Sequence, residues 1–192
     1  MSLTLANRIT IFRFLCVPVF TLLVLYYINS FKHGSPMYMF RYCAAFLFIF
    51  TVLLDAVDGY IARTRQQITR LGTVMDPLAD KALLLSGLIL LAAPSVAAFR
   101  PDLPVWFVVL VISRDVLLVL GATIIQLTVG NVVVRPRISG KLTTFFQMLI
   151  IAWVLLGFTQ IGFVYIIWTA ALFTLASGVQ YIFDGIRQLE KA

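Results

Sequence analysis

Apolar residues run along this chain in six long blocks, roughly 9–28, 39–62, 78–99, 105–129, 142–158 and 162–183, separated by short polar or charged segments. A helix that crosses a bilayer needs about 20 predominantly apolar residues. The pattern therefore predicts an all-α protein: an integral membrane bundle of six transmembrane helices forming one domain over 1–192. No internal repeat is evident, and no long polar stretch marks a second domain. The first block opens with Asn7 and Arg8, carries Arg13 and Pro18, and lacks a small-residue cleavage site. It reads as a retained span and not as a signal peptide.

Composition sharpens this. The chain is 61% hydrophobic and 12% charged, whereas soluble domains are about 45–50% apolar and about 25% charged. That much apolar surface is too much for a soluble core and calls for a lipid-facing exterior. With six spans, the termini and the segments 63–77 and 130–141 share one side. That side carries Arg8, Arg13, Arg63, Arg65, Arg70, Arg135, Arg137, Lys141, Arg187 and Lys191, and the other carries Lys32, Arg41 and Arg100. By the positive-inside rule both termini are expected in the cytoplasm. The net charge of +7 then forms a basic cytoplasmic rim suited to anionic membrane lipid. Nucleic acid is not an expected partner, because no soluble basic domain exists to bind it. Cys16 and Cys43 stand alone in apolar runs and read as packing residues. His33 reads as a solvated loop residue. Trp106, Trp168, Tyr26 and Tyr27 fall near block ends, as interfacial aromatics do.

The chemistry is in the acids. Of eight acidic residues, Asp55, Asp58, Asp76 and Asp80 lie within 26 positions, where the second block ends and the third begins. One Asp at the centre of a membrane helix costs about 2.5–3.5 kcal/mol, so four facing lipid would cost about 10–14 kcal/mol. They are expected to line a wet cavity that also holds positive charge. At about 100° per residue, Asp55, Asp58, Gly59, Ala62 and Arg63 share one helix face about 140° wide, and Asp76 and Asp80 are neighbours about 40° apart. If the two helices are antiparallel neighbours, joined by a dozen or so residues, two carboxylate pairs face each other across one cleft. Pro77 fits the first turn of the third helix, where no N–H partner is needed. Four carboxylates without His or Cys form an all-oxygen set, suited to hard cations such as Mg²⁺, Mn²⁺ or Ca²⁺. Two divalent ions would balance them, an arrangement used for displacement at phosphorus. Gly59 and Ala62 remove bulk from the carboxylate face, and Arg63 and Arg70 can supply positive charge to a diphosphate. The competing reading makes the same acids ion pairs that hold the helices together.

Asp55-x2-Asp58-Gly59-x2-Ala62-Arg63-x8-Gly72-x3-Asp76-x3-Asp80 resembles, without gap or substitution, the signature of the CDP-alcohol phosphotransferase family. The length and number of spans are similar too. The resemblance implies a cytoplasm-facing active-site cavity with two divalent metal ions, Mg²⁺ or Mn²⁺, held by Asp55, Asp58 and Asp76. Asp80 would lie beside the metals as general base. Gly59, Ala62, Arg63 and Gly72 would shape the CDP-donor site, and the protein would be a homodimer in the inner (cell) membrane of a bacterium.

The opening Asn7-x2-Thr10-x2-Arg13-x4-Pro18 is similar to that of family members that make phosphatidylglycerophosphate and of related members that make cardiolipin. It adds Asn7, Thr10 and Arg13, with Arg70, as candidate substrate-site residues. Gly140-Lys141-Leu142-Thr143-Thr144-x2-Gln147 resembles a Gly-Lys-x-Lys-Thr-x2-Gln segment of the first group, with Thr143 in place of the second Lys; Arg114-Asp115 stands where that group often has Arg-Glu. Arg114 and Lys141 are cations in or beside apolar blocks, and a phosphate on the acceptor would account for both. Alternatively, Arg114 pairs with Asp115 or another helix, and Lys141 reaches the interface along its apolar stem. The resemblance thus implies transfer of a phosphatidyl group from CDP-diacylglycerol to glycerol 3-phosphate. Cardiolipin synthesis from phosphatidylglycerol is the alternative, with inositol-phosphate and serine acceptors behind it. Outside this class, clustered intramembrane aspartates also suit a divalent-cation transporter, although the discontinuous, repeat-related helices of many transporters are missing.

Overall fold

The computed structural model describes residues 5–65, 70–93, 98–130 and 138–189, and their side chains except those of 5–10, 56–65, 70–77, 129 and 189. Every regular element among the described residues is helical: α1 Leu5–Lys32, α2 Tyr38–Arg65, α3 Arg70–Leu91, α4 Val105–Val129, α5 Ile138–Leu156 and α6 Gln160–Leu189. Five of them, all but α3, contain stretches long and apolar enough to cross a bilayer, so the chain is a multi-pass membrane protein. Their surfaces agree: Leu127, Ile138, Ile161, Met39 and Phe46 are each more than 70% exposed, large apolar side chains that water would not favour. Thr51, Thr123, Thr144 and Thr169 each donate to the carbonyl four residues back, so these four hydroxyls are satisfied within their own helices.

Two of the expected boundaries need correction. The third helix was expected over 78–99, but it starts at Arg70 and ends at Leu91. The Ala92-Ala93-Pro94 sequence explains the early stop, since proline disfavours the helical conformation in the residue before it and cannot extend the ladder. The early start puts Pro77 inside the helix and not in its first turn. It also leaves only 66–69 between α2 and α3, where a dozen connecting residues were expected.

The chain forms two compact units. The first comprises residues 1–102 and 151–158, in which α1 packs against both α2 and α3. Its core contains Phe20, Val24, Phe48, Leu83 and Leu88, with Ala44, Ala45 and Ala79 buried beside them; such small residues let helices approach closely in a membrane. Gly87 serves the same end, for a Cβ there would lie 3.0 Å from Cδ1 of Ile151. Tyr27 is fully buried, which corrects its reading as an interfacial aromatic. Its hydroxyl donates to the Ala98 carbonyl at 3.1 Å and its ring meets Phe99. Arg41 of α2, which the sequence reading counts only among the charges opposite the termini, caps the end of α5. Its Nε and Nη2 donate to the carbonyls of Leu155 and Val154, each at 2.8 Å, while Gly157 turns the chain at φ +75°. The last carbonyls of a helix lack intrahelical donors, and a cation there also meets the negative end of the helix dipole.

The second unit comprises 103–150 and 159–192, in which α4 packs on α6. Phe107, Val111, Ile150, Phe163, Ile167 and Ala170 are buried in it, and Trp106 and Trp168 pair at 5.5 Å. The bounds of α4, Val105–Val129, are those expected from the apolar block.

Candidate active site

In the first unit three helices deliver charge to one point. Arg13 of α1 is 1% exposed. Its Nη1 pairs with Oδ1 of Asp55 from α2, and its Nη2 with Oδ1 of Asp80 from α3. A planar guanidinium can hold two carboxylates on separate nitrogens, so the two acids meet within the reach of one side chain. Asp55 of α2 and Asp80 of α3 are thus brought together through Arg13 of α1. Both carboxylates stay partly exposed, at 35% and 26%, and so are accessible to a ligand.

Asp58 and Asp76 lie on the same helices, three residues after Asp55 and four before Asp80. Their side chains, those of Ala62, Arg63, Arg70, Asn7 and Thr10, and the surroundings of Gly59 and Gly72 lie outside the described residues. Among the described residues no three His, Cys, Asp or Glu side chains come together. The donors that are described fit a hard divalent cation. They are carboxylate oxygens from two helices, and the place where they converge already accommodates a positive charge, that of Arg13.

Arg13 was a candidate substrate-site residue; the structure makes it the bridge between the acids. Its signal in the sequence was a cation inside an apolar block, where a charge pairs with an opposite charge or with backbone carbonyls. The ion-pair reading of the acids is thus realised for Asp55 and Asp80, without excluding metal binding by the same oxygens. Arg13→Ala should leave two carboxylates without their cation. Breaking a buried pair typically costs about 3–5 kcal/mol, and the partial exposure of Asp55 and Asp80 puts the expected loss at the lower end. Arg13→Lys should recover only part of it, because one ammonium lacks the two-nitrogen fork. Thermal unfolding of the detergent-solubilised variants checks this; equal stability of wild type and Arg13→Ala would show that the pairs do not hold the helices.

The second unit contains its own buried cation. Arg114 of α4 is 7% exposed. Its Nη1 donates to Oδ1 of Asp115 at 2.8 Å, its Nη2 to Oγ of Ser177 on α6 at 2.6 Å, and its guanidinium lies over the Tyr181 ring at 5.5 Å. Nε is buried with no hydrogen-bond partner among the described residues. Gly140, in the first turn of α5, is close by: a Cβ there would lie 3.3 Å from Nη2. Lys141, the next residue, is exposed. Both alternatives weighed for Arg114, pairing with Asp115 and contact with another helix, are therefore present. The signal for its α6 partners was the polar series Thr174, Ser177 and Tyr181, spaced about one turn apart in an apolar helix. A cavity of about 570 Å³ between α4 and α6 reaches Arg114, Tyr181 and Asp184 and is otherwise lined mainly by apolar residues such as Leu117 and Ile182.

Residues 3–176 match the model of the CDP-alcohol phosphatidyltransferase family. With its spaced aspartates and helical membrane fold, the chain belongs to that family. Among curated relatives, it is 34% identical over 96% of its length to a Mycobacterium tuberculosis protein named as a probable phosphatidylglycerophosphate synthase, of which it covers 83%. It is 32% identical to the CDP-diacylglycerol–glycerol-3-phosphate 3-phosphatidyltransferase of Bacillus subtilis, with 92% of each chain covered. The Haemophilus influenzae protein of the same name is 27% identical over 91% of this chain and 89% of its own.

Proposed function

We propose that the protein transfers the phosphatidyl group of CDP-diacylglycerol to glycerol 3-phosphate, giving phosphatidylglycerophosphate and CMP. The observation that carries this is the convergence of Asp55 and Asp80, from α2 and α3, within the full family signature. The relatives named for this reaction support the choice of acceptor.

In this reading the acceptor hydroxyl oxygen bonds to the phosphorus that carries diacylglycerol. The bond from that phosphorus to the bridging oxygen breaks, and CMP leaves with that oxygen. Asp80 takes the hydroxyl proton. Asp55, Asp58 and Asp76, with Asp80 beside them, would hold two Mg²⁺ or Mn²⁺ ions, which supply charge neutralisation on the diphosphate and on departing CMP. Gly59, Ala62, Arg63 and Gly72 form the CDP site; Asn7, Thr10 and Arg70 are further substrate contacts. Arg114 and Lys141 hold the acceptor phosphate. The reading also includes six membrane spans, both termini on the cytoplasmic side of a bacterial inner membrane, a cytoplasm-facing cavity and a homodimer.

Purified protein incubated with CDP-diacylglycerol, Mg²⁺ and each candidate acceptor tests the reaction. Phosphatidylglycerophosphate and CMP are expected with glycerol 3-phosphate. Cardiolipin formed with phosphatidylglycerol alone would reassign the acceptor, and metal transport without CMP release would overturn the enzyme reading. The acceptor site has a separate test. Arg114→Ala or Lys141→Ala should raise KM for glycerol 3-phosphate by about tenfold to 150-fold, the worth of a charge-assisted hydrogen bond. KM for CDP-diacylglycerol should change far less. If both KM values rise together, or neither does, the two cations are structural.

A further inference from the structure

Arg114 is held more firmly than charge balance requires. Asp115, on the same helix, already supplies a carboxylate at 2.8 Å. Ser177 and Tyr181 of α6 carry no charge and neutralise nothing, yet both address the guanidinium. The Ser177 hydroxyl, fully buried, accepts from Nη2 at 2.6 Å. The Tyr181 ring lies 5.5 Å from Cζ, within cation–π range. The backbone of α5 comes up against the same group: a Cβ on Gly140 would lie 3.3 Å from Nη2, 3.6 Å from the Tyr181 hydroxyl and 3.7 Å from Oγ of Ser177.

A guanidinium has five N–H donors in a rigid plane. Asp115 and Ser177 engage one each on Nη1 and Nη2, the Tyr181 ring faces the plane, and Gly140, which lacks a Cβ, leaves the group the space it occupies beside α5. Nε–H is left without a protein partner among the described residues, as an unspent donor on a fixed plane. A phosphate accepts such donors directionally.

We propose that Ser177 and Tyr181 are positioning residues that orient the Arg114 guanidinium toward the phosphate of the acceptor. The inference rests on the assignment of Arg114 to that phosphate. Ser177 and Tyr181 act only through Arg114, so their loss weakens capture of the acceptor and not of the CDP-linked donor.

The test compares steady-state KM for glycerol 3-phosphate and for CDP-diacylglycerol in the full-length, detergent-solubilised protein. Ser177→Ala should raise KM for glycerol 3-phosphate roughly tenfold, as expected for loss of one hydrogen bond to a charged group. Ser177→Thr, which keeps an Oγ acceptor, should return it to within about threefold of wild type. Tyr181→Leu should raise it about threefold to tenfold by loss of the ring face, and Tyr181→Phe, which keeps that face, should not. Thr169→Ala removes a half-buried α6 hydroxyl that donates to the Tyr165 carbonyl of its own helix and serves as reference. The pair Arg114→Ala and Ser177→Ala should together cost no more than Arg114→Ala alone, because the two act as one unit. Additive losses would overturn the proposal, as would a parallel rise in KM for CDP-diacylglycerol. If Arg114→Ala raises the acceptor KM but Ser177→Ala and Tyr181→Leu do not, positioning is overturned while the acceptor assignment stands. If Arg114→Ala itself has no effect on that KM, the assignment falls and the positioning role falls with it.

Discussion

Asp55→Asn, Asp58→Asn and Asp76→Asn should each lower CMP release from CDP-diacylglycerol by roughly 10³-fold or more, the several kcal/mol a metal ion contributes at a transferring phosphorus. The substitution keeps size and one acceptor oxygen and removes a charge. That is enough to weaken a hard-cation ligand, because Mg²⁺ binds carboxylate far better than amide. The structure adds a control. Asn at position 55 still offers Arg13 an oxygen, so the packing of α1 on α2 should persist and the loss should be catalytic and not a failure to fold. Wild-type activity should disappear in excess chelator and return with Mg²⁺ or Mn²⁺. Full turnover under chelation would remove the two-metal reading.

Asp80→Asn should behave differently. An alcohol is a poor nucleophile at neutral pH, so losing the base that accepts its proton should reduce kcat by about 10²–10⁴. Asp80 is one helical turn after Asp76, and its carboxylate reaches the point where Arg13 also meets Asp55. It is therefore beside the proposed metal ligands without having to be one. The Asn variant should retain CDP-diacylglycerol binding at saturating Mg²⁺, whereas Asp76→Asn should lose much of it. Equal loss of donor binding in the two variants would make Asp80 a fourth ligand and place the base elsewhere.

What could be read from the sequence was whatever depends on neighbours along the chain. The apolar blocks predicted the helices, and α4 matches its block at both ends, because length and hydropathy are sums over consecutive residues. The aspartate pattern was equally legible: within a helix, spacing alone decides which side chains share a face. It placed Asp55 on one helix and Asp80 on the next, and both carboxylates pair with Arg13.

The tertiary structure decided which distant residues answer these. Arg13 meets Asp80 across 67 positions, Arg41 caps a helix 114 positions away, Ser177 engages Arg114 across 63, and Tyr27 is buried against Ala98. None of these partners follows from periodicity, since each depends on which helices lie side by side and how they are rotated. The start of α3 belongs with them. A proline inside a helix contradicts local preference by about 3 kcal/mol, so propensity along the chain placed Pro77 at the start of α3 and not within it. In a membrane protein the reason is general. Apolar blocks specify insertion almost by themselves, but lipid is as apolar as the helices it surrounds, so the selection of helix neighbours falls to small-residue packing and to the few buried polar groups that must find one another.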